Sequence, residues 1–96
     1  MAKATLVYPD KMNWPDGHIL EMTIWRLPSA SDERPHGLKY ALFYGKAGER
    51  IIGYDNETGK GDHRHYRGRE MAYVFNTVEA LMADFLRDVR RERGEI

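Results

Sequence analysis

The sequence predicts an α+β domain, with a mostly antiparallel sheet of about four to five strands and one long C-terminal helix packed on one face. Two observations lead to this prediction. Short β-branched and aromatic runs separated by polar turns fill most of the chain, and a helical repeat of apolar residues fills its end. The chain has 96 residues, of which 42% are hydrophobic, so we expect a single domain, 1–96, with one small core.

Five segments have the composition of strands. In the second, Leu20, Met22 and Ile24 share one face at a period of two, which predicts a half-buried strand. The glycines in 45–48 predict a hairpin with a four- or five-residue loop. The candidates are Thr5–Tyr8, His18–Leu27, Leu38–Tyr44, Arg50–Tyr54 and Met71–Phe75.

The last element is a helix with one apolar face. Asn76 is its expected N-cap, Glu79 completes a capping box, and Gly94 is the expected stop. A single helix covers one face of the sheet, so we expect the other face to stay available. The apolar face consists of Val78, Leu81, Met82, Phe85, Leu86 and Val89.

Composition excludes several classes of protein. The 15 Lys and Arg residues balance the 15 Asp and Glu residues, which argues against a histone-like basic binder. The lack of cysteine excludes a disulfide scaffold and a thiolate site. No run resembles a signal peptide or approaches the roughly 20 apolar residues of a membrane span. We therefore expect a soluble cytoplasmic protein that does not bind membranes.

The chemistry is concentrated in the polar segment Tyr54–Glu70. Its residues 60–69 contain four Lys or Arg and one Asp, a net charge of +3 before any histidine is protonated. A basic loop punctuated by glycines suits an anion such as a phosphate. The alternative is a solvated loop, which has no need of two histidines.

His63 and His65 are the candidate catalytic pair. If the chain is extended here, both side chains project from one face about 6 to 7 Å apart and can flank one phosphodiester. One neutral imidazole and one protonated imidazole can coexist near neutral pH. The neutral ring would take the proton of an RNA 2′-hydroxyl, and the charged ring would protonate the leaving 5′-oxygen. This chemistry requires no metal and no cofactor.

Neighbouring residues receive supporting roles. The predicted catalytic set is His63, His65, Asp62, Lys60 and Arg64, in which Asp62 (or Asp55) orients a histidine and the cations neutralise the phosphate. The predicted phosphate- or nucleic-acid-binding set is Lys60, Arg64, Arg67, Arg69, Tyr54 and Tyr66, whose two tyrosines are stacking candidates.

Two alternatives remain open. The first is a non-catalytic module that binds nucleic acid or a nucleotide. The second is a metal-dependent nuclease or nucleotidyl transferase in which Asp55, Glu57 or Asp62 supplies oxygen ligands beside the His-x-His pair. The four neighbouring cations disfavour a divalent ion, so the sequence favours the metal-independent reaction.

The run Tyr54–His65, together with Ile24–Arg26 and the helix start Thr77–Phe85, resembles the TumE-like family. Its members are small toxins of bacterial and archaeal toxin–antitoxin modules. The resemblance implies a growth-inhibiting protein neutralised by a co-encoded antitoxin, usually a small helix-turn-helix protein. It supplies neither a reaction nor catalytic residues, so the roles above rest on the residues themselves.

Overall fold

The computed structural model describes residues 4–32, 34–57, 59 and 61–95. Over these residues the chain forms one six-stranded antiparallel sheet, with the strands in chain order, followed by one helix. The predicted α+β class is confirmed, although the sheet has more strands than predicted. The elements are β1 (Thr5–Asn13), β2 (Ile19–Arg26), β3 (Leu38–Lys46), β4 (Glu49–Asp55), β5 (His63–Tyr66), β6 (Arg69–Ala72) and α1 (Val78–Glu92).

The helix covers one face of the sheet, as its apolar stripe predicts. Leu81 and Phe85 of α1 are completely buried and Val89 is nearly so. We call the covered side the helix face and the opposite side the open face. The sheet residues buried beneath α1 are Leu20, Met22, Ile24, Tyr40, Leu42, Tyr44, Ile52 and Tyr54.

The prediction of four to five strands is wrong because the polar segment contains a strand. A hairpin of β5 and β6 replaces the single strand predicted at Met71–Phe75. Arg67 and Gly68 form its turn with φ of 48° and 82°, the two positive values of a type I′ turn. The strand His63–Tyr66 has no run of apolar residues, so hydrophobic patterning does not reveal it.

Three element boundaries also differ from the prediction. Strand β1 continues to Asn13, and the β3–β4 hairpin has a two-residue loop rather than four or five, because Lys46 pairs with Glu49. Thr77, not Asn76, caps α1, and its hydroxyl accepts a hydrogen bond from Ala80 N at 3.0 Å.

The end of α1 lies where the sequence predicts it. Gly94 has a φ of 77°, and its N–H donates to Arg91 O while Glu95 N–H donates to Arg90 O. These two bonds form a Schellman motif, which requires the left-handed conformation that glycine adopts without strain.

An irregularity in β4 decides which side chains reach the open face. Tyr44 pairs with Ile52 but Gly45 pairs with Arg50, so Ile51 is an extra residue in β4. The bulge places Arg50 opposite Gly45, on the open-face side of the sheet, together with Gly53 and Asp55. A Cβ atom on Gly45 would lie 2.1 Å from Glu49 O, so only glycine fits at this bulge.

Candidate active site on the open face

Strand alternation divides the polar segment between the two faces. In β5, Arg64 pairs with Tyr54 and therefore faces α1, whereas His63 pairs with Asp55 and His65 with Gly53. Alternate residues of a strand share a side, so both histidines project from the open face. The extended conformation on which the histidine pairing depends is confirmed.

The two imidazoles form a compact cluster with one carboxylate. Their ring centroids lie 4.8 Å apart at an interplanar angle of 77°, and the residues are 5% and 8% exposed. His63 Nε2 lies 2.7 Å from Asp55 Oδ1, and His65 Nε2 lies 3.9 Å from Asp55 Oδ2. The closer contact is not aligned as a hydrogen bond, and no described residue directs a hydrogen bond at the buried Asp55 Oδ1.

The neighbours of the His63 ring nitrogens are oxygen atoms. Its Nδ1 lies 3.0 Å from Gly61 O, an acceptor, so Nδ1 carries a proton. Its Nε2 faces Asp55 Oδ1 and, at 3.9 Å, Glu70 Oε1. Both ring nitrogens therefore face oxygen atoms, and the contact of Nδ1 is the one aligned as a hydrogen bond.

The neighbours of His65 favour a neutral ring. Arg50 Nη2 donates to His65 Nδ1 at 3.0 Å, and a guanidinium can only donate, so this nitrogen holds a lone pair. Burial lowers the pKa of His65, and the positive charge of Arg50 lowers it further. The two adjacent histidines therefore have different neighbours, a carboxylate beside His63 and a guanidinium beside His65.

A glycine makes room for Arg50. A Cβ atom on Gly53 would lie 2.7 Å from Arg50 Cδ, so the arginine side chain occupies the space above this residue. The side chain of Arg50 is 44% exposed, and its Nη1 lies 3.8 Å from Asp55 Oδ2. Arg50 thus covers the histidine pair from the solvent side and is the nearest cation to it among the described residues.

Other predicted site residues lie on the helix face. Arg64 Nε donates to Asp88 Oδ2 at 2.8 Å, and the Tyr54 hydroxyl donates to the same oxygen at 2.5 Å. Burial and the bond to Asp88 raise the pKa of the Tyr54 phenol. Tyr54 is 2% exposed, so it cannot stack on a base.

Two further predicted residues also contact the helix. The Tyr66 hydroxyl donates to Glu92 Oε2 at 2.9 Å, and Arg67 forms an ion pair with the other oxygen of Glu92. The structure therefore does not bring Arg67 or Tyr66 to the histidine pair. Arg69 lies exposed on β6, opposite Tyr66.

Of the two carboxylates predicted to orient a histidine of the pair, Asp55 lies beside it and Asp62 does not. Asp62 contacts His36, whose Nε2 lies 3.1 and 3.2 Å from the two carboxylate oxygens, and Asp55 is the carboxylate beside His63. The sequence gives no reason to assign His36 a role. The predicted residue Lys60 lies outside the described residues.

The sequence analysis missed Arg50 and Glu70. Arg50 lies 15 residues before His65, and only the bulge at Ile51 brings its side chain to the open face. Glu70 pairs with His65 across the β5–β6 hairpin, which hydrophobic patterning does not reveal. The glycine at Gly53 in the middle of a strand was the available signal, because such a glycine often marks a place where another group approaches closely.

The family model described as Toxin TumE matches residues 3–93 of the 96-residue chain. The chain belongs to the TumE toxin family. This match confirms the resemblance carried by the run Tyr54–His65, which contains both histidines and Asp55. The chain matches no curated protein and no solved structure at a significant level.

In this TumE toxin, the cluster of two histidines and one aspartate has some of the features of a metal site. Asp55, His63 and His65 each offer one ligand atom, all within 4.8 Å of one another. His63 fits a ligand because its Nδ1–H donates to Gly61 O, which leaves Nε2 free for an ion. His65 fits poorly, since its other nitrogen faces Arg50, which cannot accept the N–H of a metal-bound imidazole.

Among the described residues of the TumE toxin, no helix is both long and apolar enough to span a membrane.

Proposed function

We propose that this TumE-family toxin cleaves RNA without a metal ion, with His63 as the general acid and His65 as the general base. The observation that carries the proposal is the contact of two imidazoles, whose ring centroids lie 4.8 Å apart, with a carboxylate beside one ring and a guanidinium beside the other. A carboxylate favours the charged form of a neighbouring imidazole and a guanidinium favours the neutral form, and acid–base catalysis needs one ring in each form.

The general base is the neutral histidine. In the free protein its Nδ1 lone pair accepts a hydrogen bond from Arg50. A phosphate is a stronger acceptor for a guanidinium than an imidazole is, so RNA binding draws Arg50 away and frees the lone pair. The 2′-hydroxyl then takes the place of Arg50 and gives its proton to His65.

The general acid is the charged histidine. As the 2′-oxygen attacks phosphorus, the bond from phosphorus to the 5′-oxygen breaks, and His63 gives its proton to that leaving oxygen. The products are a 2′,3′-cyclic phosphate and a 5′-hydroxyl, and the two histidines have exchanged protonation states. Asp55 holds the imidazolium in position before the transfer, from a distance of 2.7 Å.

Arg50 stabilises the phosphate as charge develops on it. It is the described cation closest to the histidines, and its guanidinium can hold two phosphate oxygens at once. Removal of one donor of this kind from an active site costs about 10²–10³ in kcat. We therefore assign to Arg50 the role that the sequence analysis gave to Arg64.

The test is cleavage of a defined single-stranded RNA, with and without EDTA, by the wild type and the variants His63→Ala and His65→Ala. We expect cleavage to survive EDTA, and each variant to lose about 10²–10⁴ in rate. His18→Ala is the matched control, because His18 bonds to Asp16 and stacks on Tyr44 on the helix face. Intact RNA under all conditions, or variants as active as His18→Ala, would refute the proposal.

A metal-dependent nuclease is the second candidate, favoured by the three converging ligand atoms and by the buried Asp55 Oδ1 that receives no hydrogen bond from the described residues. In that case EDTA abolishes cleavage and Mg²⁺, Mn²⁺ or Zn²⁺ restores it. Arg50→Ala then strengthens metal binding, because it removes both a positive charge and the donor that faces His65. Under the first proposal, the same substitution only weakens cleavage.

We also propose that the toxin has a co-encoded antitoxin of the small helix-turn-helix class, and that it acts on RNA in the cytoplasm. The toxin family supports an antitoxin partner. Co-expression with the neighbouring open reading frame should restore growth, and the two proteins should co-purify. A toxin that remains fully toxic and purifies alone would contradict this part of the proposal.

A further inference from the structure

A groove lies on the open face, chiefly on strands β2 and β3. Its volume is about 570 Å³, within the ~300–1,000 Å³ of ordinary ligand pockets. None of its lining residues belongs to the proposed catalytic set. The lining residues are Thr23, Trp25, Lys39, Tyr40, Ala41 and Glu57.

Strand register connects the groove to the candidate active site. Thr23 pairs with Ala41, Ala41 with Asp55, and Asp55 with His63, so the four residues form one row across the open face. Trp25 is two residues along β2 from Thr23. With strands ~4.8 Å apart and ~3.4 Å per residue, its Cα lies about 12 Å from that of Asp55 and about 16 Å from that of His63. A strand of RNA that crosses the sheet can contact both.

The chemistry of the groove fits a nucleobase better than a phosphate. Trp25 is half-buried on a face that no helix covers, so part of its indole is open to a ligand. Lys39 pairs directly with Trp25 across β2 and β3, and Glu57 lines the same groove. One cation and one anion leave the groove without net charge, and the aromatic surface is what a flat base requires.

We infer that the groove of Trp25 and Lys39 binds a base of the single-stranded RNA whose chain continues across the sheet to the phosphodiester held at His63 and His65. The inference rests on the proposed function, whose substrate it extends from β5 towards β2. The base stacks on Trp25, and Lys39 contacts the backbone of the same nucleotide. Stacking of unpaired bases on sheet aromatics is a common way in which proteins recognise single-stranded RNA.

Binding can be measured independently of cleavage in the double variant His63→Ala/His65→Ala. Trp14 is replaced by Phe, which leaves Trp25 as the single tryptophan. Trp14 packs edge-on against Tyr44 beneath Arg93, so phenylalanine retains its aromatic contact. Titration with a short single-stranded oligoribonucleotide should then quench Trp25 fluorescence.

Substitutions in the groove separate stacking from other contacts. Anisotropy of a labelled oligoribonucleotide should show Trp25→Ala weakening binding about 5- to 150-fold, as expected for the loss of one stacked base, with Trp25→Phe keeping most of the affinity. Lys39→Ala should weaken binding and lower the slope of log K against log salt by about 0.7. Lys46→Ala is the matched control at the far end of β3 and should change neither.

The outcomes distinguish this inference from the proposed function. Quenching that depends on Trp25 supports the groove even if the wild type cleaves no RNA, in which case only the proposed reaction fails. Unchanged binding in Trp25→Ala and Lys39→Ala overturns the inference even where cleavage depends on both histidines. Absence of any RNA binding by the double variant, with its fold intact by circular dichroism, overturns the inference as well.

Discussion

Replacement of Gly53 by alanine tests the role of Arg50 without touching a titratable group. A Cβ atom at Gly53 lies 2.7 Å from Arg50 Cδ and 3.4 Å from Arg50 Nε, and those are its closest contacts. The atoms that the new Cβ would contact belong to the middle of the Arg50 side chain, which is 44% exposed. Arg50 can therefore turn into solvent at little cost in free energy. Gly53 does not have a positive φ, so the backbone accepts alanine without strain.

We therefore expect Gly53→Ala to change the stability of the fold little and the rate of cleavage much more. Replacing glycine by alanine at a compatible position stabilises a protein by ~0.4–1 kcal/mol, because it lowers the conformational entropy of the unfolded chain. This gain offsets the contacts that Arg50 loses, so the free energy of unfolding should change by less than about 1 kcal/mol. Arg50 no longer reaches His65 Nδ1, and the pKa of His65 should rise toward its ordinary value. Cleavage should fall by about 10- to 100-fold, short of the ~10²–10³ expected when such a donor is removed altogether.

Three measurements check this: urea denaturation, a histidine side-chain NMR titration, and the RNA cleavage assay. Gly45→Ala is the contrasting control, because its Cβ would lie 2.1 Å from the backbone oxygen of Glu49. We expect it to destabilise the fold by about 1–3 kcal/mol or more through overpacking. If Gly53→Ala leaves both the His65 titration and cleavage unchanged, Arg50 does not act on the site.

Three further predictions concern stability. Asp88 is 4% exposed and accepts hydrogen bonds from Tyr54 and Arg64, so Asp88→Ala should lower the free energy of unfolding by about 3–5 kcal/mol in urea denaturation; a loss below 1 kcal/mol would contradict this. Thr77→Ala should cost about 1 kcal/mol because Thr77 caps α1, whereas Asn76→Ala should cost almost nothing, and the reverse order would show that the cap is Asn76. Because the folded-state pKa of His65 is lowered, neutral His65 contributes to stability above about pH 6.5, the pKa of an unperturbed histidine, and this contribution is lost as the pH falls below that value. In thermal melts between about pH 5 and 7, His65→Gln should therefore lose less stability at low pH than the wild type does.

Hydrophobic periodicity predicted the parts of the fold that bury apolar side chains. The alternation of Leu20, Met22 and Ile24 and the stripe of α1 both follow from the need to cover one face of the sheet, and both agree with the structure. The hairpin of β5 and β6 obeys the same alternation, but its inward residues are Arg64 and Tyr66. Their polar ends reach carboxylates of α1, so the pattern that marks a buried face is absent.

Only those features of the candidate site that depend on residues close in sequence could be predicted. His63 and His65 share a face because they are two residues apart on a strand, which spacing alone can establish. The contacts of Arg50 and Asp55 depend on strand register and on the bulge at Ile51, which are long-range properties of the folded sheet. Hydrophobic patterning shows neither the register nor the bulge.

Alternation also changes the meaning of the charge in the polar segment. Residues 60–69 have a net charge of +3, which in a flexible loop would be one basic patch. In the hairpin, Arg64 and Arg67 instead form ion pairs with Asp88 and Glu92, so these cations hold α1 against the edge of the sheet. Among the residues that the structure describes, the cation beside the histidines is Arg50, outside that segment. Phosphate recognition in our proposal therefore depends on an arginine placed by a bulge and a glycine, whereas Arg64 and Arg67 serve the packing of the helix.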